Sequence, residues 1–191
     1  MTKALFFDID GTLVSFETHA IPASTIEALT IAHEKGIKIF IATGRPKAII
    51  NNLADIQDRG LIDGYITMNG AYCFVGDEVI YKSAIPAGEV RALAQVCEQK
   101  GYPCIFVGEH TISVCQPNKL VHDIFYDFLH VDEIPVKTFE EAVQEEIFQM
   151  TPFVTVEEET EIQPQIPNCE SGRWFPAFAD ITAKGNTKQK G

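Results

Sequence analysis

Three short apolar runs in the first seventy residues each end in a polar cluster. Lys3 to Ile9 (KALFFDI) runs into Asp8-Ile9-Asp10-Gly11-Thr12, Ile37 to Ala42 (IKIFIA) stops at Thr43-Gly44-Arg45-Pro46, and Leu61 to Thr67 stops shortly before Asn69-Gly70. Nearly unbroken apolar runs of this length suit strands covered on both faces, as in a parallel sheet. Helical signals lie between them. Pro22 suits the first turn of a helix through Lys35, Ile26 and Leu29 share one face, and Gly36 suits the position just past its end. Pro46 opens a shorter helix through about Asp55. Strand, helix, strand, helix, strand at this spacing predicts an α/β chain whose parallel sheet has right-handed crossovers. Ligands bind such sheets at the carboxyl ends of the strands, where all three clusters fall.

The pattern changes after Asn69. Tyr72 to Val75 and Val79 to Lys82 flank Gly76-Asp77-Glu78 and read as a hairpin. Helices are predicted over Pro86 to Lys100, Pro117 to Leu129 and residues 138–146, and strands over Cys104 to Val107, Thr111 to Cys115, Phe148 to Val156, Arg173 to Phe178 and Ala179 to Thr182. Elements that do not alternate strictly suggest an α+β insertion over 84–180 within a core formed by 1–83 and 181–191. The basic tail from Lys184 onward either frays or brings a lysine back to the first cluster.

Composition narrows the function. Fifteen basic against 27 acidic residues give a net charge of −12, which repels nucleic acid and anionic lipid. No apolar run approaches the ~20 residues that span a bilayer, and Asp8 breaks the N-terminal run too early for an export signal. The five cysteines are odd in number and show no C-x-x-C spacing, so buried thiols in a reducing cytoplasm are expected. His122 and His130, eight apart on a predicted helix, read as surface or packing residues.

Asp8 and Asp10 carry the chemistry. Two carboxylates two residues apart at a strand end, followed by Gly and Thr, have a plain alternative reading as an Asx turn. The two further polar strand ends weigh against that reading. Asp8-Ile9-Asp10-Gly11-Thr12-Leu13 resembles the first motif, D-x-D-G-T-[LV], of the haloacid dehalogenase (HAD) superfamily of phosphohydrolases. Ile41-Ala42-Thr43-Gly44-Arg45-Pro46 and Thr67-Met68-Asn69-Gly70-Ala71 resemble the second motif and a further loop of its Cof-type sugar-phosphatase branch. Thr187-Lys188, after Asp180-Ile181-Thr182, resembles the lysine motif.

The resemblance implies a Rossmann-like core with an inserted α+β cap that selects the substrate. It implies that Asp8 is the nucleophile, forming an aspartyl phosphate, and that Asp10 is the general acid and base. Mg2+ would sit on Asp8 and the Asp10 carbonyl, both hard oxygen donors. Thr43, Gly44 and Lys188 would hold phosphate, Asn69 would fix its loop or face substrate, and Arg45 would reach substrate or pair with the cap. The expected substrate is a small phosphorylated sugar, hydrolysed in the cytoplasm without nucleic-acid or membrane partners. A phosphomutase shares this chemistry, and a weakly active phosphate-binding homologue is the other alternative.

One departure from the family pattern carries its own expectations. The fourth motif, G-D-x-x-N-D, should follow the lysine motif and supply an aspartate to the metal. The sequence ends three residues past Lys188, and Gly76-Asp77 lies before the insertion and cannot replace it. A core incomplete at this end would show an open sheet edge and exposed apolar faces, inviting self-association. Disorder near 184–191, weak Mg2+ affinity and slow turnover are expected with it.

Overall fold

The structure is a computed structural model and describes residues 3–191. The chain divides into two compact units, one formed by residues up to Lys82 together with Thr187–Gly191, the other by Ser83–Asn186.

The first unit is built on β1 (Lys3–Phe7), α1 (Ala23–Glu34), β2 (Ile37–Ala42), α2 (Ala54–Gln57), β3 (Gly64–Thr67), β4 (Tyr72–Val75) and β5 (Glu78–Lys82). Its sheet has the order β1-β2-β3-β4-β5. β1, β2 and β3 are parallel, in register at Phe6↔Phe40 and Ile41↔Tyr65, and the β4–β5 hairpin adds antiparallel strands beside β3. Ile9, Leu13, Leu29, Ile39, Ile41, Leu53 and Ile56 pack into one core that anchors the loop after β1 as well as the strands.

Two expectations change here. β1 is not covered on both faces: Leu5 is 40% and Phe6 57% exposed, and with only β2 beside it among the described residues the strand forms the open edge anticipated above. Phe6 keeps a stacked contact with Phe40, with ring centroids 4.9 Å apart. The helix expected from Pro46 is two separate turns, a 3-10 turn at Lys47–Ile49 and α2, since Ile50 between them is extended.

The second unit contains α3 (Ala87–Lys100), β6 (Cys104–Gly108), β7 (Ile112–Cys115), α4 (Lys119–Val121), α5 (Phe139–Ala142), β8 (Ile147–Pro152), α6 (Val156–Ile162), β9 (Cys169–Phe175) and β10 (Phe178–Ala183). Its antiparallel sheet runs β7-β6-β8-β10-β9. Thr138 and Thr155 close capping boxes with Glu141 and Glu158, which start α5 and α6. α4 leads into a π-helical stretch, His122–Phe128, where an ordinary helix was expected. The wider winding shows in Leu129 N–H donating to Ile124 O, and Ile124 and Phe125 within the stretch are buried. The unit also extends past the expected boundary at 180: Ile181 and Thr182 pair with Met150 and Gln149, so β10 is an inner strand of this sheet.

All five cysteines are free and buried. Burial pushes the Cys115 and Cys169 thiols up to about 12, so neither offers a thiolate near neutral pH. No helix of the described residues is long and apolar enough to cross a membrane.

Asp180 is a charged group inside the second sheet. Thr151 donates to its Oδ1 at 2.8 Å and Trp174 Nε1 to its Oδ2 at 3.2 Å. Burial outweighs these donors and that of Gln149, raising its carboxyl from 3.8 to about 6. The folded state therefore holds a proton that the unfolded chain releases between about pH 4 and 6, and stability from this group falls as pH rises through that window. Over this window, about two pH units wide, the loss is roughly 3 kcal/mol. Asp180→Asn keeps an acceptor for Trp174 and removes the titrating carboxyl. The melting temperature of Asp180→Asn relative to wild type should rise between pH 4 and 7. A difference that does not change with pH would contradict the assignment.

Candidate active site

The site is assembled from loops at the carboxyl ends of β1, β2 and β3 in the first unit. Directly after β1 the chain curls on itself: Ile9 O accepts from the N–H groups of Thr12, Leu13 and Val14 at 3.2, 3.0 and 2.9 Å, and Gly11 N–H donates to Val14 O at 2.9 Å. Gly11 has φ +74, a conformation open to glycine at little cost. Ile9, fully buried, pins this curl, so Asp8 and Asp10 on either side of it are held at fixed positions.

Asp8 Oδ1 accepts from Ile9 N–H at 2.9 Å, and Asp8 Oδ2 accepts from Lys188 Nζ at 2.7 Å. The two side chains are partly exposed, 41% for Asp8 and 36% for Lys188, so both are open to a ligand. Asp10 faces Arg45. Arg45 Nε donates to Asp10 Oδ2 at 2.8 Å and Nη2 to Oδ1 at 2.9 Å, a bidentate pair. Arg45 Nη1 donates to Ile49 O at 3.1 Å, and the side chain is only 8% exposed. The resemblance implied that Arg45 reaches substrate or pairs with the inserted domain; the partners of its side chain here are Asp10 and Ile49, which take three of its five N–H groups.

The second cluster is tied to the third. Thr43 N–H donates to Ile66 O at 2.8 Å, Asn69 N–H to Thr43 O at 3.1 Å, and Met68 N–H to Arg45 O at 3.3 Å. Thr43 Oγ1 accepts from Arg45 N–H at 3.0 Å, which leaves the buried hydroxyl its own proton to donate. Asn69 lies against Gly44: a Cβ on Gly44 would come within 3.2 Å of Asn69 Oδ1. The Asn69 backbone and side chain thus both lie against the second cluster.

The third cluster positions Lys188. Met68, Asn69 and Gly70 all have positive φ. The turn brings Gly70 so close to Thr187 that a Cβ would lie 2.3 Å from its carbonyl oxygen. The tail expected to be disordered is instead bonded on both sides of this contact. Lys184 N–H donates to Asn168 O at 2.7 Å, and Lys190 N–H to Thr187 O at 3.0 Å. Asp8, Asp10, Thr43, Gly44, Arg45, Asn69 and Lys188 therefore lie in one connected set of contacts. The Arg45–Asp10 pair had no signal in the spacing of the residues, because it depends on how the Thr43 turn folds back on the β1 loop.

The donor types can be compared with the metal that the motifs imply. A carboxylate offers about four lone-pair sites, and the Asp8 oxygens use one each, on Ile9 N–H and Lys188. The Asp10 carboxylate is turned to Arg45, which leaves its main-chain carbonyl as the oxygen for a cation. A hard, oxygen-seeking divalent ion fits this set.

With fold and geometry established, the chain can be placed. It belongs to the haloacid dehalogenase-like hydrolase family, whose model matches residues 5–191. It is similar to the solved structure of the HAD subclass IIB sugar phosphatase BT4131, with 76% identity and a TM-score of 0.95, covering 100% of this chain and 73% of that one. It is also similar to BT1666 from Bacteroides thetaiotaomicron, studied among phosphatases of the same superfamily, at 32% identity and a TM-score of 0.80, covering 100% of this chain and 70% of that one. A Bacillus subtilis (strain 168) protein named "Putative phosphatase YkrA" is 28% identical over 195 residues, covering 100% of this chain and 72% of the relative.

The Gly70–Thr187 contact generates a prediction. In Gly70→Ala the new methyl meets backbone, not a flexible side chain, at a φ of +94. The Thr187 segment must move, at a cost of about 1–3 kcal/mol, and Lys188 should leave Asp8. Thermal unfolding and a crystal structure of the variant test this. An unchanged melting temperature with the 2.7 Å bridge intact would refute it.

Proposed function

We propose that this chain is a phosphatase that hydrolyses small phosphorylated sugars through an aspartyl phosphate on Asp8. The observation that carries the reading is the Lys188–Asp8 contact at 2.7 Å. It brings a cation from the far end of the sequence onto a half-open carboxylate at a strand end. The similarity to a sugar phosphatase supports the substrate class.

In this reading an Asp8 oxygen attacks phosphorus, a P–O bond to Asp8 forms, and the ester P–O bond breaks. Asp10 gives its proton to the leaving alkoxide, then takes one from the water that attacks the aspartyl phosphate. Breaking the Asp8–P bond restores the carboxylate and releases phosphate. Lys188 offsets the repulsion between carboxylate and phosphate. The Thr43 hydroxyl and Gly44 N–H donate to phosphate oxygens. The Asp8 carboxylate and Asp10 carbonyl would hold Mg2+, which when bound would supply Lewis-acid stabilisation of phosphoryl charge. Because the phosphate-handling clusters all lie in the first unit, we assign substrate selection to the second. Free, buried thiols suit a reducing compartment and hence a cytoplasmic enzyme.

The test is phosphate release from a panel of pentose and hexose phosphates with Mg2+ present. Asp8→Asn should abolish it, and Asp10→Asn should slow it by about 10²- to 10⁴-fold. Near wild-type release by Asp8→Asn would overturn the covalent route. An isomerised sugar phosphate without free phosphate would show a mutase instead.

A further inference from the structure

Among the described residues, Arg45 is a buried guanidinium facing an acid that the reaction needs free. Its side chain is 8% exposed against 26% for Asp10, so the pair has a fixed inner partner and a more accessible outer one. Three side-chain bonds hold the fork: Nε and Nη2 to the two Asp10 oxygens at 2.8 and 2.9 Å, and Nη1 to Ile49 O at 3.1 Å. The Arg45 main-chain N–H adds a fourth bond, to Thr43 Oγ1 at 3.0 Å. All three side-chain bonds are internal, two to Asp10 and one to the Ile49 backbone.

We propose that Arg45 is a positioning residue. It sets the rotamer of Asp10 and acts on catalysis only through that carboxylate, not as a phosphate or substrate ligand. The proposal rests on the phosphatase reading for its catalytic consequence, but not for its geometry. A planar fork that donates two parallel N–H bonds fixes both the place and the tilt of a carboxylate, which a lysine cannot do. Each Asp10 oxygen keeps a lone pair outside the fork, so a proton can still be given or taken on the accessible side. The same residue links two parts of the site: its side chain holds the acid, and its N–H orients the Thr43 hydroxyl. A reacting group misplaced by about 1 Å can lose on the order of 100-fold in rate, so the arginine matters without touching substrate.

Two measurements test this. The first is a crystal structure of Arg45→Ala, which does not depend on activity. The Asp10 carboxylate should leave its wild-type position or occupy more than one rotamer; an unmoved, singly ordered Asp10 would overturn the proposal. The second is a kinetic double-mutant cycle. Arg45→Ala should lower kcat by roughly 10- to 100-fold with KM nearly unchanged, and Arg45→Lys should not restore it. Added guanidinium ion should recover part of the loss. In the Asp10→Asn background the same Arg45→Ala change should cost less than about twofold, since its route of action is already gone. A raised KM with kcat retained, or losses that multiply across the cycle, would show Arg45 acting on substrate or independently of Asp10. A wild-type protein that releases no phosphate from any ester would count against the phosphatase reading, and the Asp10 position in Arg45→Ala would still decide the geometric claim.

Discussion

In the proposed reaction a carboxylate must meet a phosphate dianion, and the two repel. Two like charges 4 Å apart cost about 4 kcal/mol at an effective dielectric near 20, enough to keep substrate from Asp8 unless a cation stands beside it. In the proposed mechanism Lys188 is that cation, 180 positions along the chain from Asp8. A flexible tail could not hold it there. Gly70 admits the Thr187 backbone at a distance no other residue would allow, and the segment's own hydrogen bonds complete the fastening. The absence of a side chain at one turn position thus decides where the charge of another residue lies.

The remaining contacts form a ring around Asp8. Lys188 follows Thr187, which lies on Gly70; Asn69 next to it packs on Gly44 and bonds Thr43; Thr43 bonds Arg45; and Arg45 returns to Asp10, two residues from Asp8. Met68 and Asn69 hold a left-handed backbone inside this ring, and asparagine tolerates that conformation better than most residues. Strained turns of this kind persist where the surroundings over-determine them. Here the β2 and β3 ends supply that constraint, because both strands are locked in one parallel sheet over a common core.

The parts of this arrangement that could be read from the sequence were those with a short-range signal. The three apolar runs, Pro22 and Gly36 mark β1, α1 and β2 closely, since strand and helix periods act over a few residues. The polar clusters mark the strand ends. What escaped depended on long-range packing. The exposure of Leu5 and Phe6 was anticipated only as an open sheet edge and not from the run itself, because an apolar run reads the same at an edge as at the centre of a sheet. The π-helical winding at His122–Phe128 leaves no mark in the residue pattern, which reads as an ordinary helix. The inner place of β10 follows from its pairing with β8, and the turn of Arg45 onto Asp10 from the folding of two loops 35 residues apart.

The central claim is that Asp8 carries phosphate during turnover. Acid quenching of the wild-type protein while it hydrolyses a sugar phosphate, followed by peptide mass spectrometry, reads this directly. The account predicts one phosphoryl group on the peptide that contains Asp8, lost when that residue is asparagine. Steady phosphate release with that peptide never modified, or with the phosphoryl group on another residue, would contradict it.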